Sequence, residues 1–163
     1  MPPRRYIFPR IPSPIQIDGS LTDPNWQTVP WSEDFVDITG SEALKPHFRT
    51  RIKMGWDDEY FYFGAELEEP HVWGTITTKN AVMFEDNDFE IFIDPDCDGL
   101  NYYEFEINAR GSIWELNLPK PYGEGGKPVL GCNIDGLKSA VTVRGSLNDP
   151  RDVDEEWSVE VAI

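Results

Sequence analysis

The sequence predicts an all-β protein, an antiparallel β-sandwich of the jelly-roll type. Three observations lead to this prediction. Apolar residues alternate with polar ones at a period of two, which is typical of strands with one buried face. Helix-like spacing is almost absent. The 163 residues include 14 prolines and 13 glycines, and clusters of these turn formers separate the alternating stretches.

Seven stretches have the alternation or β-branched and aromatic content expected of a strand. They are residues 48–56, 60–67, 88–94, 102–108, 112–118, 138–145 and 156–163. The one helical indication is Asp23 before Pro24, an N-cap followed by proline at the first helical position, which predicts a single turn. We expect an N-terminal arm over 1–14 and one sandwich over 15–163. The alternation runs to the last residue, which predicts that the sandwich lacks its final strands at the C-terminus.

Charge and composition exclude several classes of protein. With 14 Lys and Arg against 30 Asp and Glu, the formal charge is −16. Nucleic acids and anionic membranes require clustered positive charge, so neither is an expected partner. No apolar stretch is long enough to insert into a membrane, and no signal peptide is visible. The acidic composition and the two cysteines fit an extracellular or periplasmic bacterial protein, which is the expected location, and they fit a cytoplasmic one too.

The register of the central strands follows from an expected two-residue turn at Arg110–Gly111. This turn would place Ile107 opposite Trp114 and Phe105 opposite Leu116 on a buried face. The opposite, outward face would then collect residues of three strands, six of them polar: Glu90, Phe92, Glu104, Glu106, Asn108, Ile113, Glu115 and Asn117. Four tryptophans are predicted to lie in the core: Trp26, Trp56, Trp114 and Trp157.

A sheet face lined with carboxylates and amides has three interpretations. It is the solvated surface of an acidic protein, or a sugar-binding face, or the site of a glycoside hydrolase. Carboxylates and amides hydrogen-bond to sugar hydroxyls, and aromatic rings stack on the apolar sides of pyranoses. Exposed rings for such stacking are expected at Trp31, Trp73 and Phe84. Glutamates two apart on a strand lie about 7 Å apart, which suits an inverting hydrolase, but nothing singles out one pair.

The acidic stretch after the third predicted strand resembles half of a calcium loop. Asp94, Asp96 and Asp98 occupy its first, third and fifth positions, and Gly99 occupies the sixth. The twelfth position is Phe105 instead of glutamate, which excludes an EF-hand. A looser calcium site and a plain acidic turn both remain open.

Five motifs in order resemble the family 9 carbohydrate-binding modules, in their family 9-like branch. They are IDGSLTDPNW, MGWDDEYFYFGAEL, FEDNDFEIFIDPDCDG, NYYEFEINARGSIWELNLPKPY and SLNDPRDVDEEWSVEVAI. The resemblance begins at about Ile15 and extends over nearly all of the chain. It implies a DOMON-like β-sandwich without catalytic activity that binds oligosaccharides or polysaccharides, often at chain ends. It also implies structural calcium in some members, and either fusion to a glycoside hydrolase or action beside one.

The resemblance also implies particular binding residues. Phe84 occupies the place of the family's first stacking tryptophan, and Glu90 matches a binding glutamate. Glu106 and Asn108 occupy the places of an arginine and an asparagine, so one hydrogen-bond donor is replaced by an acceptor. The family's second stacking aromatic belongs to a C-terminal region beyond this sequence. The predicted carbohydrate-binding residues are therefore Phe84, Glu90, Glu106 and Asn108, with Trp73 as a neighbour.

Three alternatives remain beside a binding module. One is a structural or docking domain without sugar binding, and another is a glycoside hydrolase. The third is a haem-binding electron-transfer domain, because the wider DOMON-like group includes b-type cytochromes. Its axial ligands would come from Met54, Met83, His47 and His71.

Overall fold

The computed structural model describes residues 4–40 and 44–163 and consists of two antiparallel β-sheets. The first three residues of the predicted arm lie outside the described residues. Seven strands form the sheets: β1 Thr50–Trp56, β2 Phe61–Glu68, β3 Asp88–Ile93, β4 Tyr102–Asn108, β5 Ile113–Leu118, β6 Lys138–Arg144 and β7 Glu156–Ala162. Short 3-10 helices span Pro24–Thr28, Met83–Glu85 and Tyr122–Glu124. The predicted fold class and all seven predicted strands are confirmed.

The strands are arranged as a four-stranded sheet, β1-β2-β7-β6, and a three-stranded sheet, β3-β4-β5. The main core lies between them. From the four-stranded sheet it takes Phe63, Trp157 and Val159, and from the three-stranded sheet it takes Phe89 and Phe105. Each of these side chains belongs to the inward-facing set of its strand, as alternation requires.

A second apolar cluster covers the outside of the four-stranded sheet. Trp26, in the predicted helical turn, packs with Ile11, Ile15 and Tyr62. Asp23 caps this turn by accepting a hydrogen bond from the backbone N–H of Asn25, as predicted. Within the predicted arm, the Ile11 N–H donates to the carbonyl of Trp56, so residues of the arm extend the sheet at β1.

The predicted register of β5 is wrong by one residue. Ile107 lies opposite Ile113, and Glu106 lies opposite Trp114. The hairpin loop has three residues, Ala109 to Gly111, because the N–H of Asn108 donates to the carbonyl of Ser112 and Gly111 has a φ of 87°. A left-handed glycine at the third position is the usual form of such loops. The shift turns Trp114, Leu116 and Leu118 outward and moves Ile113, Glu115 and Asn117 off that face.

Two of the four predicted core tryptophans behave as expected. Trp26 and Trp157 are buried in the two clusters on either side of the four-stranded sheet. Trp56 is partly exposed, with the guanidinium of Arg10 over its ring, so that prediction is wrong. Trp114 is buried, but on the outward side of the three-stranded sheet.

Glu160 joins the N-terminal segment to β7 through a fully buried carboxylate. One oxygen accepts the backbone N–H groups of Asp18 and Gly19, each at 2.7 Å. The other accepts the indole Nε1–H of Trp26 at 2.7 Å. The sheet and the segment that covers it therefore meet at one side chain.

We predict that Glu160→Ala lowers the free energy of unfolding by about 2–5 kcal/mol, because it leaves buried N–H donors without an acceptor. Chemical denaturation followed by tryptophan fluorescence measures the loss. The control is Glu155→Ala, which removes only an exposed ion pair with Arg144 and should change stability by less than about 1 kcal/mol. Equal effects of the two substitutions would contradict this role for Glu160.

Candidate functional site

The outward side of the three-stranded sheet brings together the polar and aromatic residues of three strands. We call this side the outer face; its residues are Asp88, Glu90, Phe92, Tyr102, Glu104, Glu106, Asn108, Trp114, Leu116 and Leu118. Carboxylates occupy its middle, on β3 and β4. Aromatic pairs lie on either side of them: Phe84 with Trp114, and Phe92 with Tyr102, with ring centroids 6.2 Å apart in each pair.

Phe84 is presented by the 3-10 turn Met83–Glu85. Met83 is fully buried against Trp114, Leu116 and Leu118, which fixes the turn on the sheet. The next side chain, Phe84, is 63% exposed. The result is an exposed ring on an anchored backbone, next to a second ring from β5.

Asp86 ties this turn to the preceding segment. Its carboxylate accepts the backbone N–H groups of Thr75 and Ile76, both at 2.8 Å, and the side-chain amide of Asn108 at 2.9 Å. Burial alone would raise the pKa of Asp86, but these donated hydrogen bonds outweigh it and the pKa is lowered. The carboxylate is therefore ionised and structural.

The structure corrects the prediction that Asn108 faces solvent and contacts a ligand. Asn108 is fully buried, and its amide nitrogen donates to the carbonyl of Ile76 and to Asp86. Its amide oxygen accepts the N–H groups of Arg110 and Ser112. An amide group has two donors and two acceptor positions, so no hydrogen-bonding capacity is left for a sugar. The side chain holds the turn and the Phe84 segment in place.

Glu106 lies at the bottom of the outer face, between Glu90 on β3 and Trp114 on β5. The interpretation of this face as a solvated surface fails at Glu106, which is only 2% exposed. Its Oε2 atom accepts no hydrogen bond from an N–H or hydroxyl group of the described residues. One carboxylate oxygen from each of Asp88, Glu90 and Glu106 lies within 4.8 Å of the others.

Burial and mutual repulsion make these carboxyls weak acids. Desolvation, followed by the charges of Asp88, Glu104 and Glu90, raises the pKa of Glu106 to about 8. Desolvation and the charge of Glu90 raise the pKa of Asp88 to about 6. Desolvation also raises the pKa of Glu104, although that carboxylate accepts the Tyr122 hydroxyl at 2.7 Å. Near neutral pH the face therefore holds both protonated and ionised carboxyls.

Trp114 is the residue of this site that sequence reasoning missed. The predicted two-residue turn places it in the core. In the structure it lies beside Glu106, and its buried indole Nε1–H has no acceptor among residues 4–40 and 44–163. One indication of the longer loop was present in the sequence. Asn108-Ala109-Arg110-Gly111 fits a three-residue loop as well as a two-residue one.

The other predicted stacking residues are placed differently. Trp73 is 41% exposed in the segment between β2 and the Met83–Glu85 turn. Trp31 lies on the other sheet, where Arg51 and Lys53 cover its ring at 4.1 and 4.7 Å from the centroid. It lines a cavity of about 830 Å³ at the edge of β1, away from the carboxylates.

The predicted calcium ligands Asp94, Asp96 and Asp98 lie together in the loop between β3 and β4, with carboxylate oxygens within 4.8 Å of one another. Asp94 already accepts the backbone N–H groups of Cys97 and Gly99 through its two oxygens. The loop is thus closed by its own hydrogen bonds, and calcium binding there stays a prediction.

The predicted haem ligands are dispersed over different elements. Met83 is buried under the Phe84 turn, and Met54 packs against the main core from β1. His47 and His71 are exposed, and neither belongs to a cluster of metal-ligating side chains in the part of the chain that the structure describes. Nor do residues 4–40 and 44–163 contain a helix long and apolar enough to cross a membrane.

A family model described as carbohydrate family 9 binding domain-like matches residues 17–115, more than half of the chain. The chain belongs to this family. The recognition made from the five motifs is confirmed at that level, and a family of binding domains agrees with the prediction that this family 9-like domain is not an enzyme. A search of curated proteins finds no match.

Solved structures share the fold of this family 9-like domain. One is a family 9 carbohydrate-binding module from Caldicellulosiruptor kristjanssonii in complex with cellotriose, with 19% identity and a TM-score of 0.62 over 96% of this chain and 66% of that one. A second structure of a family 9 module from Caldicellulosiruptor kristjanssonii, in complex with glucose, has 19% identity and a TM-score of 0.62 over 96% of this chain and 67% of that one. A Bacteroides uniformis protein proposed to bind carbohydrate has 16% identity and a TM-score of 0.68 over 96% of this chain and 70% of that one. The family 9-like domain thus spans about two thirds of the length of these chains.

We predict that stability falls as the pH rises from about 4.5 to about 8. Unfolding returns Glu106 from its folded pKa of about 8 to its ordinary value of 4.5, so the folded state binds more protons in this interval. Thermal unfolding should be measured across this range with a chelator present. Glu106→Gln, which is neutral at every pH, should show a smaller decrease than the wild type. Parallel curves for the two proteins would refute the assignment.

Proposed function

We propose that this chain is a non-catalytic carbohydrate-binding module whose binding site is the outer face. The observation that carries the proposal is the exposed ring of Phe84, anchored by Met83 beside Trp114 and next to the carboxylates of β3 and β4. Stacking rings beside hydrogen-bonding groups suit the apolar and polar surfaces of a pyranose. Membership in a family of carbohydrate-binding domains supports the same conclusion.

Each proposed contact has a physical role. Phe84 stacks on the sugar ring, and Trp114 forms the wall beside it. Glu90 is exposed and accepts hydrogen bonds from hydroxyls. Glu106 offers Oε2, and Trp114 offers its Nε1–H; both are buried and have no hydrogen-bond partner among the described residues. Trp73, partly exposed, is kept as a peripheral contact, and Asn108 acts as a positioning residue.

The charge of the face selects among sugars. Four carboxylates surround the site, and no ion pair to a Lys or Arg of the described chain neutralises them. Anionic sugars such as uronic acids would be repelled, whereas neutral sugars donate hydroxyl hydrogens to the carboxylates. The proposed ligands are therefore neutral oligosaccharides or polysaccharides, and glucose and cellotriose, bound by two related structures, are the first to test.

The setting of the domain is part of the proposal. We place it in the DOMON-like group of sandwiches and outside the cytoplasm of a bacterium, fused to a glycoside hydrolase or acting beside one. Membership in a family of carbohydrate-binding domains supports the association with a glycoside hydrolase, and the two antiparallel sheets support the place in the sandwich group.

We predict that the full chain binds a neutral oligosaccharide with a dissociation constant on the order of 1 mM to 1 μM, measured by titration calorimetry. Phe84→Ala should weaken binding roughly two- to tenfold, because an aromatic stacking contact contributes about 0.5–1.5 kcal/mol. Phe35→Ala is the matched control, since Phe35 is exposed beside β1 on the other sheet. Glucuronic acid should bind more weakly than glucose.

Two outcomes would contradict the proposal. If the folded wild type binds no glycan in an array and by calorimetry, the chain is better described as a structural or docking domain. If a glycan binds but Phe84→Ala and Phe35→Ala weaken it equally, the site lies elsewhere.

A further inference from the structure

Asp88, Glu90 and Glu106 point carboxylate oxygens at a common position on the outer face. One oxygen from each lies within 4.8 Å of the other two. Glu90 is directly opposite Glu106 in the ladder, and Asp88 precedes Glu90 by two residues on the same strand. Because all three belong to paired strands, their spacing is fixed by the sheet and not by a mobile loop.

Two of the oxygens in this cluster, Oε2 of Glu106 and Oδ2 of Asp88, are buried and accept no hydrogen bond from an N–H or hydroxyl group of the described residues. The carboxyl groups of Asp88 and Glu106 are themselves close enough to share a proton when one of them is protonated. Glu106 itself is only 2% exposed. No Lys or Arg of the described residues forms an ion pair with any member of the cluster, whereas Glu66 pairs with Arg49 and Arg51. An unpaired buried carboxylate is strongly unfavourable unless a cation or a proton compensates it.

We propose that Asp88, Glu90 and Glu106 bind one divalent cation of the size of calcium. Calcium takes carboxylate oxygens at about 2.3–2.6 Å, so three oxygens around one ion lie up to about 4.5 Å from one another. The three oxygens here lie within 4.8 Å of one another, so small side-chain movements suffice to reach that geometry. Magnesium keeps several waters and is usually bound through one or two carboxylates, so a group of three suits calcium better. Three carboxylates match the preference of calcium for anionic oxygen, and the exposed position of Glu90 leaves further coordination positions open to solvent.

This cluster is separate from the aspartate loop that the sequence suggested as a calcium site. In that loop, both oxygens of Asp94 accept backbone N–H groups, so the loop satisfies its own carboxylate. In the Asp88–Glu90–Glu106 cluster no backbone donor reaches the unpartnered oxygens. The sheet cluster has the stronger requirement for a cation.

The test is a calcium titration of the full chain by calorimetry at pH 7.5, after removal of metals with a chelator and with no sugar present. We expect one calcium per chain, with Glu106→Gln and Glu90→Gln each weakening it by at least about tenfold. Glu90 is exposed, so its substitution tests the site even if Glu106→Gln disturbs folding. The control, Asp94→Asn combined with Asp98→Asn, should retain wild-type affinity within about twofold.

Terbium gives a second measurement, because this calcium substitute emits when a nearby tryptophan is excited. Trp114 lies opposite Glu106, so Trp114→Phe should reduce the emission, whereas Trp56→Phe on the other sheet should not. The proposal is overturned if the wild type binds no calcium at millimolar concentration, in which case a shared proton compensates the cluster. It is also overturned if only the aspartate-loop variant loses binding. Neither result bears on sugar binding measured with a chelator present.

Discussion

The outer face depends on the four hydrogen bonds of one buried amide, Asn108. Its oxygen accepts two N–H groups of the hairpin turn, which sets the register of β5 and directs Trp114 outward. Its nitrogen donates to Ile76 and Asp86, which hold the segment that presents Phe84. The two neighbouring rings therefore come from different parts of the chain but are positioned by the same side chain. Because each bond uses a different capacity of the amide, an isosteric aspartate would lose both donors.

The buried carboxylates of this domain differ in whether they accept hydrogen bonds from the backbone. This difference distinguishes the carboxylates that stabilise the fold from the one in the proposed binding site. Glu160 and Asp154 each accept two backbone N–H groups, as in the bonds from Val72 and Ser146 to Asp154. Such carboxylates are stabilised by their donors and lock loops onto the sheets. Glu106 has an oxygen that lacks any donor and lies among like charges. Unsatisfied polar groups of this kind are unfavourable for folding alone and are concentrated where proteins bind ligands.

Much of the fold follows from local sequence, because alternation and turn residues act over a few positions. Phe89 and Ile91 on β3, or Asp23 and Pro24 at the helical turn, carry the information for their own structure. The register of β5 did not follow, since a two-residue and a three-residue loop differ by one position and exchange the two faces. Only the tertiary bonds of Asn108 decide between them. Sequence reasoning thus placed Glu90 on the outer face and predicted an exposed ring at Phe84, as the structure has them, but it placed Trp114 on the opposite face.

The burial of the outer face could not be predicted from alternation either. Period two predicts which residues share a face, and Glu104, Glu106 and Asn108 do share one. It does not tell whether another segment covers that face. Here the chain between β2 and β3 lies over β5 through Met83, and Tyr122 reaches Glu104 from the other side. These segments bury the carboxylates and exclude water from them, which raises their pKa values. The protonation of the site therefore depends on the loops that cover the sheet.

The glutamate at position 106 gives this face its particular character. With an arginine, a central positive donor would neutralise Glu90 and bind sugar oxygens directly. With Glu106, the centre of the face contains acceptors, and the buried donor left without a partner there is the Nε1–H of Trp114. A ligand that satisfies such a site must bring donors or positive charge of its own. Sugar hydroxyls supply the first and a divalent cation supplies the second, which is why one arrangement of carboxylates leads to both proposals.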